Sequence, residues 1–234
     1  MKTMDRRTIL KSLKALLLFL IAPVLEVKEV IADAFPTRTI ELDTFSFDPP
    51  TGMIAWAREN RTEPYHLVVD GLVAKPVKLT YPEVRGLPAT EQVSDFHCVE
   101  GWTIPQVRWA GFRFKELLNL VQPLEGADFV VFHSLGETRS RPLGQKHYIE
   151  SFALADLLDL GQEILLVLEK DGKPLSLERG APLRVIAPPR LGYKSIKFVH
   201  RVEFVREPKP GWWTLANPIY DWDAKVPLSR LRNR

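Results

Sequence analysis

One cysteine, Cys98, is all that the 234-residue chain contains, and this scarcity excludes a good deal. A disulfide framework needs a second thiol in the chain. A thiolate zinc finger or an iron–sulfur cluster needs several, and the Cys-x-x-Cys-His run of covalent haem attachment does not occur. Glycine is also sparse, 13 residues against 19 prolines. No glycine-rich phosphate loop is present, which argues against a nucleotide enzyme, and the proline excess points to a turn-rich, strand-heavy body. An excess of one charge is missing as well. The formal charge is +3, and most of it lies in residues 1–34. The remainder is nearly neutral and offers no broad field to nucleic acid or anionic membrane. What the chain has in quantity is apolar surface: 45% hydrophobic residues exclude intrinsic disorder, and the length suffices for one large domain.

The first segment reads as an export signal. A positive start precedes the apolar run 15–25, and Ala32-Asp33-Ala34 fits a small-residue cleavage site. The run is shorter than the roughly 20 residues needed to span a bilayer; left uncleaved, the segment would act as an N-terminal membrane anchor. Arg6-Arg7 followed by Thr8-Ile9-Leu10-Lys11 resembles a twin-arginine signal, a route for proteins folded around a cofactor before export. The expectation is a periplasmic protein with a signal over 1–34 and a single domain over 35–234.

Within that domain, apolar alternation and β-branched content predict strands near 37–43, 66–70, 92–99, 127–134, 163–169, 183–187 and 196–205. Asp171-Gly172 predicts a hairpin turn. Helices are predicted over 113–121, where Phe114, Leu117, Leu118 and Val121 share a face, and over 152–160. Few short helices that do not alternate regularly with strands indicate an α+β, strand-rich fold with mixed sheets rather than a doubly wound one.

Cys98 follows Phe96-His97 at the end of a predicted strand. Most lone cysteines are small buried hydrophobes, but strand ends bordering loops are common places for sites. Two chemistries are open. With a histidine base (His66, His97, His133, His147 or His200) the thiolate would be a hydrolase nucleophile. As a soft ligand it would hold a metal whose other ligands come from elsewhere, such as an organic dithiolene.

Five stretches narrow the choice. Residues 179–197 contain Arg179-Gly180-Ala181-Pro182-Leu183-Arg184 and, eleven positions after Arg184, Ser195-Ile196-Lys197. Cys98-Val99-Glu100-Gly101-Trp102, the segment from Leu67 to Pro76, and Gly111 to Leu118 supply further matches in order. Together they resemble the molybdopterin-binding domain of the sulfite oxidase family, over about residues 60–205. Within it the likeness is greatest to the exported catalytic subunits of bacterial protein-methionine-sulfoxide reductases. The resemblance implies a sulfite-oxidase-like fold with Mo-molybdopterin as cofactor, and Cys98 as catalytic residue and molybdenum ligand. It implies pterin contacts from Ser134, Arg179, Arg184, Ser195, Ile196 and Lys197. Arg179 stands where the family pattern has Asn, and Ser134 where it has Thr. The family's N-terminal pterin contacts have no counterpart around 45–60.

The implied activity is two-electron oxygen-atom transfer at a small-molecule or protein-bound sulfur substrate, by sulfoxide reduction or sulfite oxidation. Electrons would be exchanged with a separate partner, a haem membrane subunit or a cytochrome, and the chain would act as a monomeric catalytic subunit. Arg108, Arg139, Arg141 and Arg190 are the candidates for gathering around a sulfite dianion. A cofactor-free binding module on the same fold is the remaining alternative.

Overall fold

A computed structural model describes residues 44–231; the segment expected to act as an export signal and the strand expected over 37–43 lie outside the described residues. Three sheets organise the described residues. β1 (Phe45–Asp48), β2 (Met53–Trp56) and β3 (Arg61–Pro64) form an antiparallel meander. A mixed sheet has the order β5 (Val77–Thr80), β4 (His66–Gly71), β13 (Val199–Val205), β8 (Phe129–Ser134), β9 (Ile149–Ala153). Its one parallel pair, β4 with β13, joins the two ends of the fold. The third sheet runs β11 (Lys173–Pro174), β10 (Leu165–Lys170), β7 (Thr103–Phe112), β6 (Ala89–His97), and β12 (Arg184–Ile186) also pairs with β10. The helices of the described residues are short: α1 (Tyr81–Arg85), α2 (Lys115–Val121), α3 (Leu154–Leu158), α4 (Trp212–Ala216) and α5 (Leu228–Leu231). The strand-rich α+β expectation holds. No helix among the described residues is long and apolar enough to cross a membrane.

The sequence pattern explains the layering. In β4 the buried Leu67 and Val69 alternate with half-buried neighbours, the period of a strand with one face inward. β10 instead begins with four apolar residues, because both of its faces are covered. Leu166 and Leu168 enter the main core with Phe112, Phe114 and Val185, while Leu165 and Val167 enter a second cluster with Val107, Trp109 and Ile186.

Several elements differ from expectation for local reasons. β7 was hidden by Pro105 and Gly111. The ladder shifts between Ser94 and Phe96, so Pro105 falls in a bulge where no donor is required, and the Gln106 amide donates to Asp95 Oδ1 at 2.9 Å. The helix expected over 152–160 shrinks to α3, since Phe152 and Ala153 are taken into β9 by pairing with Val130 and Phe129. The strand expected from 196 begins only at Val199. That late start leaves Ser195-Ile196-Lys197 in a loop.

Candidate functional site

β6 and β7 make a hairpin whose tip is residues 98–102. The loop closes on itself: the Cys98 amide donates to the Trp102 carbonyl at 2.9 Å and the Gly101 amide to the Cys98 carbonyl at 3.2 Å. Cys98 is half-buried, and Val99, Glu100 and Gly101 are exposed. The Phe96 and Trp102 rings lie 6.0 Å apart at the base of the tip. His97 is buried, and its Nδ1 is 2.9 Å from Thr103 Oγ1.

The C-terminal motif comes to this hairpin. His97 forms a parallel bridge with Leu191. Gly192 packs against Phe96 so closely that a Cβ there would lie 2.5 Å from Phe96 Cζ; only glycine permits the approach. Gly192–Lys194 is a 3-10 turn, and its last carbonyls lead into Ser195. Ser195 is buried and its Oγ accepts from the Ala187 amide at 3.3 Å, fixing the loop to the end of β12.

Arg184 opens β12 at 5% exposure, with its guanidinium carbon 5.3 Å from the Phe96 ring centre and 5.6 Å from that of Trp109. Such a cation over aromatic faces is held in a defined plane. Arg184 Nη1 also donates to the Arg179 carbonyl at 3.1 Å. Between Arg184 and Lys197 lies Gly180, whose φ of +105° suits glycine. A Cβ on Gly180 would come within 2.9 Å of Lys197 Cγ and 3.2 Å of Arg184 Cδ. The side-chain stems of two cations therefore converge on a position that must stay bare.

Ser134, at the end of β8, is register partner of Val199, and the next amide, that of Leu135, donates to the Phe198 carbonyl at 2.8 Å. Ser134 Oγ donates to the Leu135 carbonyl at 3.0 Å. The structure thus gathers Arg179, Arg184 and Lys197 around Gly180, places Ser134 beside the strand that follows Lys197, and docks the Cys98 hairpin through Phe96. Ile196 is different. Its side chain is 1% exposed in the main core and its carbonyl accepts from Val185, so only its backbone borders the loop.

The arginine candidates do not converge on Cys98. Arg108 and Arg139 are exposed, and Arg141 pairs with Glu137 at 3.0 Å. Arg190 lines a cleft with Asp95, Phe96, Trp109, Pro188 and Ser195. Its guanidinium is held between Asp156 and Asp223, each at 3.0 Å, and Gln162 Oε1 at 3.1 Å.

Three of the histidines, His133, His147 and His200, form a cluster of their own. His133 Nδ1 is 3.1 Å from His147 Nε2, and His133 Nε2 is 3.0 Å from Glu203 Oε2. Burial pushes His133 down to about 4, against the opposing effect of its hydrogen bond to the Glu203 carboxylate. His200, at the bulge of β13, is also pushed down to about 4, by burial first and then by the charges of His133, His147 and Arg201. Among the described residues no group of three or more His, Cys, Asp or Glu side chains is placed to hold a metal ion. A metal bound through Cys98 must bring most of its ligands with it.

Sequence reasoning missed Gly180, Gly192 and Phe96, which shape the site without donating to it. It also missed Glu150, whose signal was a carboxylate in the otherwise apolar and hydroxyl-bearing stretch from Tyr148 to Ala153.

Residues 54–213 match the family model described as the oxidoreductase molybdopterin-binding domain. Among solved structures, the sulfane dehydrogenase SoxCD from Paracoccus pantotrophus is similar in fold, with a TM-score of 0.53 at 16% identity over 72% of this chain. The match spans 50% of that longer chain.

Proposed function

Because the chain belongs to the oxidoreductase molybdopterin-binding domain family, we propose that it is a periplasmic oxidoreductase performing two-electron oxygen-atom transfer at a sulfur substrate. The observation that carries this reading is the docking of the Cys98 hairpin, through Phe96, onto the loop and strand that bear Arg184, Ser195 and Lys197. The residues present fit the cofactor. A soft thiolate at an accessible tip suits a sulfur-rich coordination sphere. Arg184 and Lys197 around the bare Gly180 suit the pterin phosphate, Arg184 as a planar fork and Lys197 as a point charge. Ser195 and Ser134 would add hydroxyls, Arg179 and Ile196 backbone carbonyls. When bound, the cofactor supplies the oxygen-atom and electron chemistry; the protein supplies orientation and access.

The rim favours an uncharged sulfoxide over a sulfite dianion. Next to Cys98 stand Val99, Glu100 and Trp102, and the nearby cleft's Arg190 is already balanced by two carboxylates. A dianion would meet an acidic, apolar rim, a like-charge and desolvation cost, whereas a sulfoxide beside Trp102 would not. This preference agrees with the resemblance to protein-methionine-sulfoxide reductase subunits. Twin-arginine export and electron exchange with a separate haem or cytochrome partner complete the reading.

The test is an assay of the full chain from a molybdopterin-competent host, comparing sulfoxide reduction by a reduced dye with sulfite oxidation. Sulfoxide turnover that disappears in Cys98→Ser is expected. Turnover unaffected by Cys98→Ser contradicts the assignment, and sulfite as the sole substrate contradicts the reading of the rim.

A further inference from the structure

The loop that carries Ser195 and Lys197 is anchored by a buried charge pair. Lys194, the last residue of the 3-10 turn, forms an ion pair with Glu150 at 3.0 Å, and both side chains are 2% exposed. Lys194 Nζ also donates to the Ser151 carbonyl, and it lies 4.5 Å from the Phe152 ring centre and 5.2 Å from that of Trp222. Glu150 belongs to β9, paired with Phe132 of β8, the strand that ends at Ser134. The neighbouring Tyr148 binds both sides of the site: its carbonyl accepts from the Ser134 amide, and its hydroxyl donates to the Tyr193 carbonyl. The pair thus ties the turn that leads into Ser195 to the strand beside the one that ends at Ser134.

The chain after β13 closes over it. Gly211 lies against the Glu150 carboxylate so tightly that a Cβ would come within 2.2 Å of Oε1. Trp222 covers Lys194, and its Nε1 donates to Ser151 Oγ. Tyr193 Oη donates to the Asp221 carbonyl, Leu191 donates to the Ala224 carbonyl, and Val226 to that of Pro189.

Stability alone does not account for this arrangement. A buried ion pair is often no more stabilising than apolar side chains of similar volume, because desolvation offsets the attraction. Burial indeed raises the Glu150 carboxyl above the ordinary range despite Lys194. What the pair supplies in place of stability is direction: it fixes the backbone one residue before Ser195.

We propose that Lys194 and Glu150 are positioning residues for the cofactor, holding the Ser195–Lys197 loop in its binding geometry. The proposal rests on the molybdopterin reading of the site. Either single change leaves one buried charge alone and risks the fold, so the test removes both. The Lys194→Met/Glu150→Leu variant and the wild type are purified from a molybdopterin-competent host. Molybdenum and pterin per chain are measured beside the denaturation midpoint. Gly211→Ala, which presses on the carboxylate without removing either charge, is measured as a second variant.

Expected are a cooperative transition at a midpoint close to wild type and cofactor occupancy lowered about tenfold or more in the double variant. A smaller loss is expected in Gly211→Ala. Wild-type occupancy in a folded double variant overturns the positioning role while leaving the molybdopterin reading intact. Failure of the double variant to fold assigns the pair to the fold and also overturns the role. A wild type devoid of molybdenum and pterin removes the reading itself.

Discussion

At the scale of single residues, the site depends on what each side chain alone can do. Cys98 is exposed enough that Cys98→Ser exchanges one small group for another. Its thermal midpoint is expected to correspond to wild-type stability within about 1 kcal/mol, with turnover abolished. Arg184 is a stricter case. Its plane is set by Phe96 and Trp109, and lysine has neither the fork nor the stacking surface. Arg184→Lys should fold and yet bind pterin more weakly, as read by pterin fluorescence after release from the purified protein; undiminished pterin content would contradict the phosphate role. Gly180→Ala meets both a left-handed φ and the Lys197 stem. It is expected to cost about 1–3 kcal/mol and to lower occupancy, measured by denaturant titration and metal content. Of the candidate residues, Cys98 stood out in the sequence by itself as the one soft sulfur, whereas Arg184, Ser195 and Lys197 were singled out only by the spacing they share with the family. Phe96, Gly180 and Gly192 were not, because a residue that makes room or supplies a face carries no pattern until its neighbours are known.

At the scale of elements, the strands with clean alternation, such as β4 and β8, could be read from the sequence, and so could the all-apolar start of β10. Those whose boundaries depend on pairing could not. β7 hides a proline in a bulge, and β9 claims Phe152 and Ala153 from a helical pattern, since ladder pairing overrides a weak local preference. The junction of β8, β13 and the stretch before β9 carries a pH consequence. His133 and His200 are held near 4 in the folded chain, against about 6.5 unfolded, and His147 is also lowered by burial and by Arg201 and Lys209. Arg201, Lys209, Glu203 and Asp70 are the charged groups around them. Below pH 6.5 the unfolded chain binds more protons, so stability falls as pH drops towards 4 and is flat above 6.5. The loss should be on the order of 2 kcal/mol at pH 5 for each of His133 and His200. Denaturant midpoints at pH 7.5 and 5 check this, and His200→Gln should flatten the slope; an unchanged slope contradicts the assignment. Element packing itself is tested by Leu166→Ala, expected to cost about 2–5 kcal/mol because Leu166 is fully enclosed in the main core.

At the scale of the whole molecule, scarcity of cysteine becomes intelligible. No cluster of three or more ligating side chains exists among the described residues, and in the proposed reading one thiolate is the protein's contribution to a centre whose other sulfurs come with the pterin. The three sheets bring together segments far apart in sequence: the 98–102 hairpin tip, the end of β8 and the 179–197 stretch. The segment after β13 then covers the turn that precedes Ser195. Long-range assembly of this kind was legible only through family resemblance, since no local propensity states which loops will meet. The reading proposed is that this assembly holds molybdopterin through Cys98. The most direct measurement is molybdenum and pterin content of the full chain purified from a molybdopterin-competent host, beside Cys98→Ser from the same host. About one molybdenum and one pterin per chain are expected in the wild type, with the thiolate-to-metal absorption lost in the variant. A folded wild-type chain that carries neither metal nor pterin would contradict it.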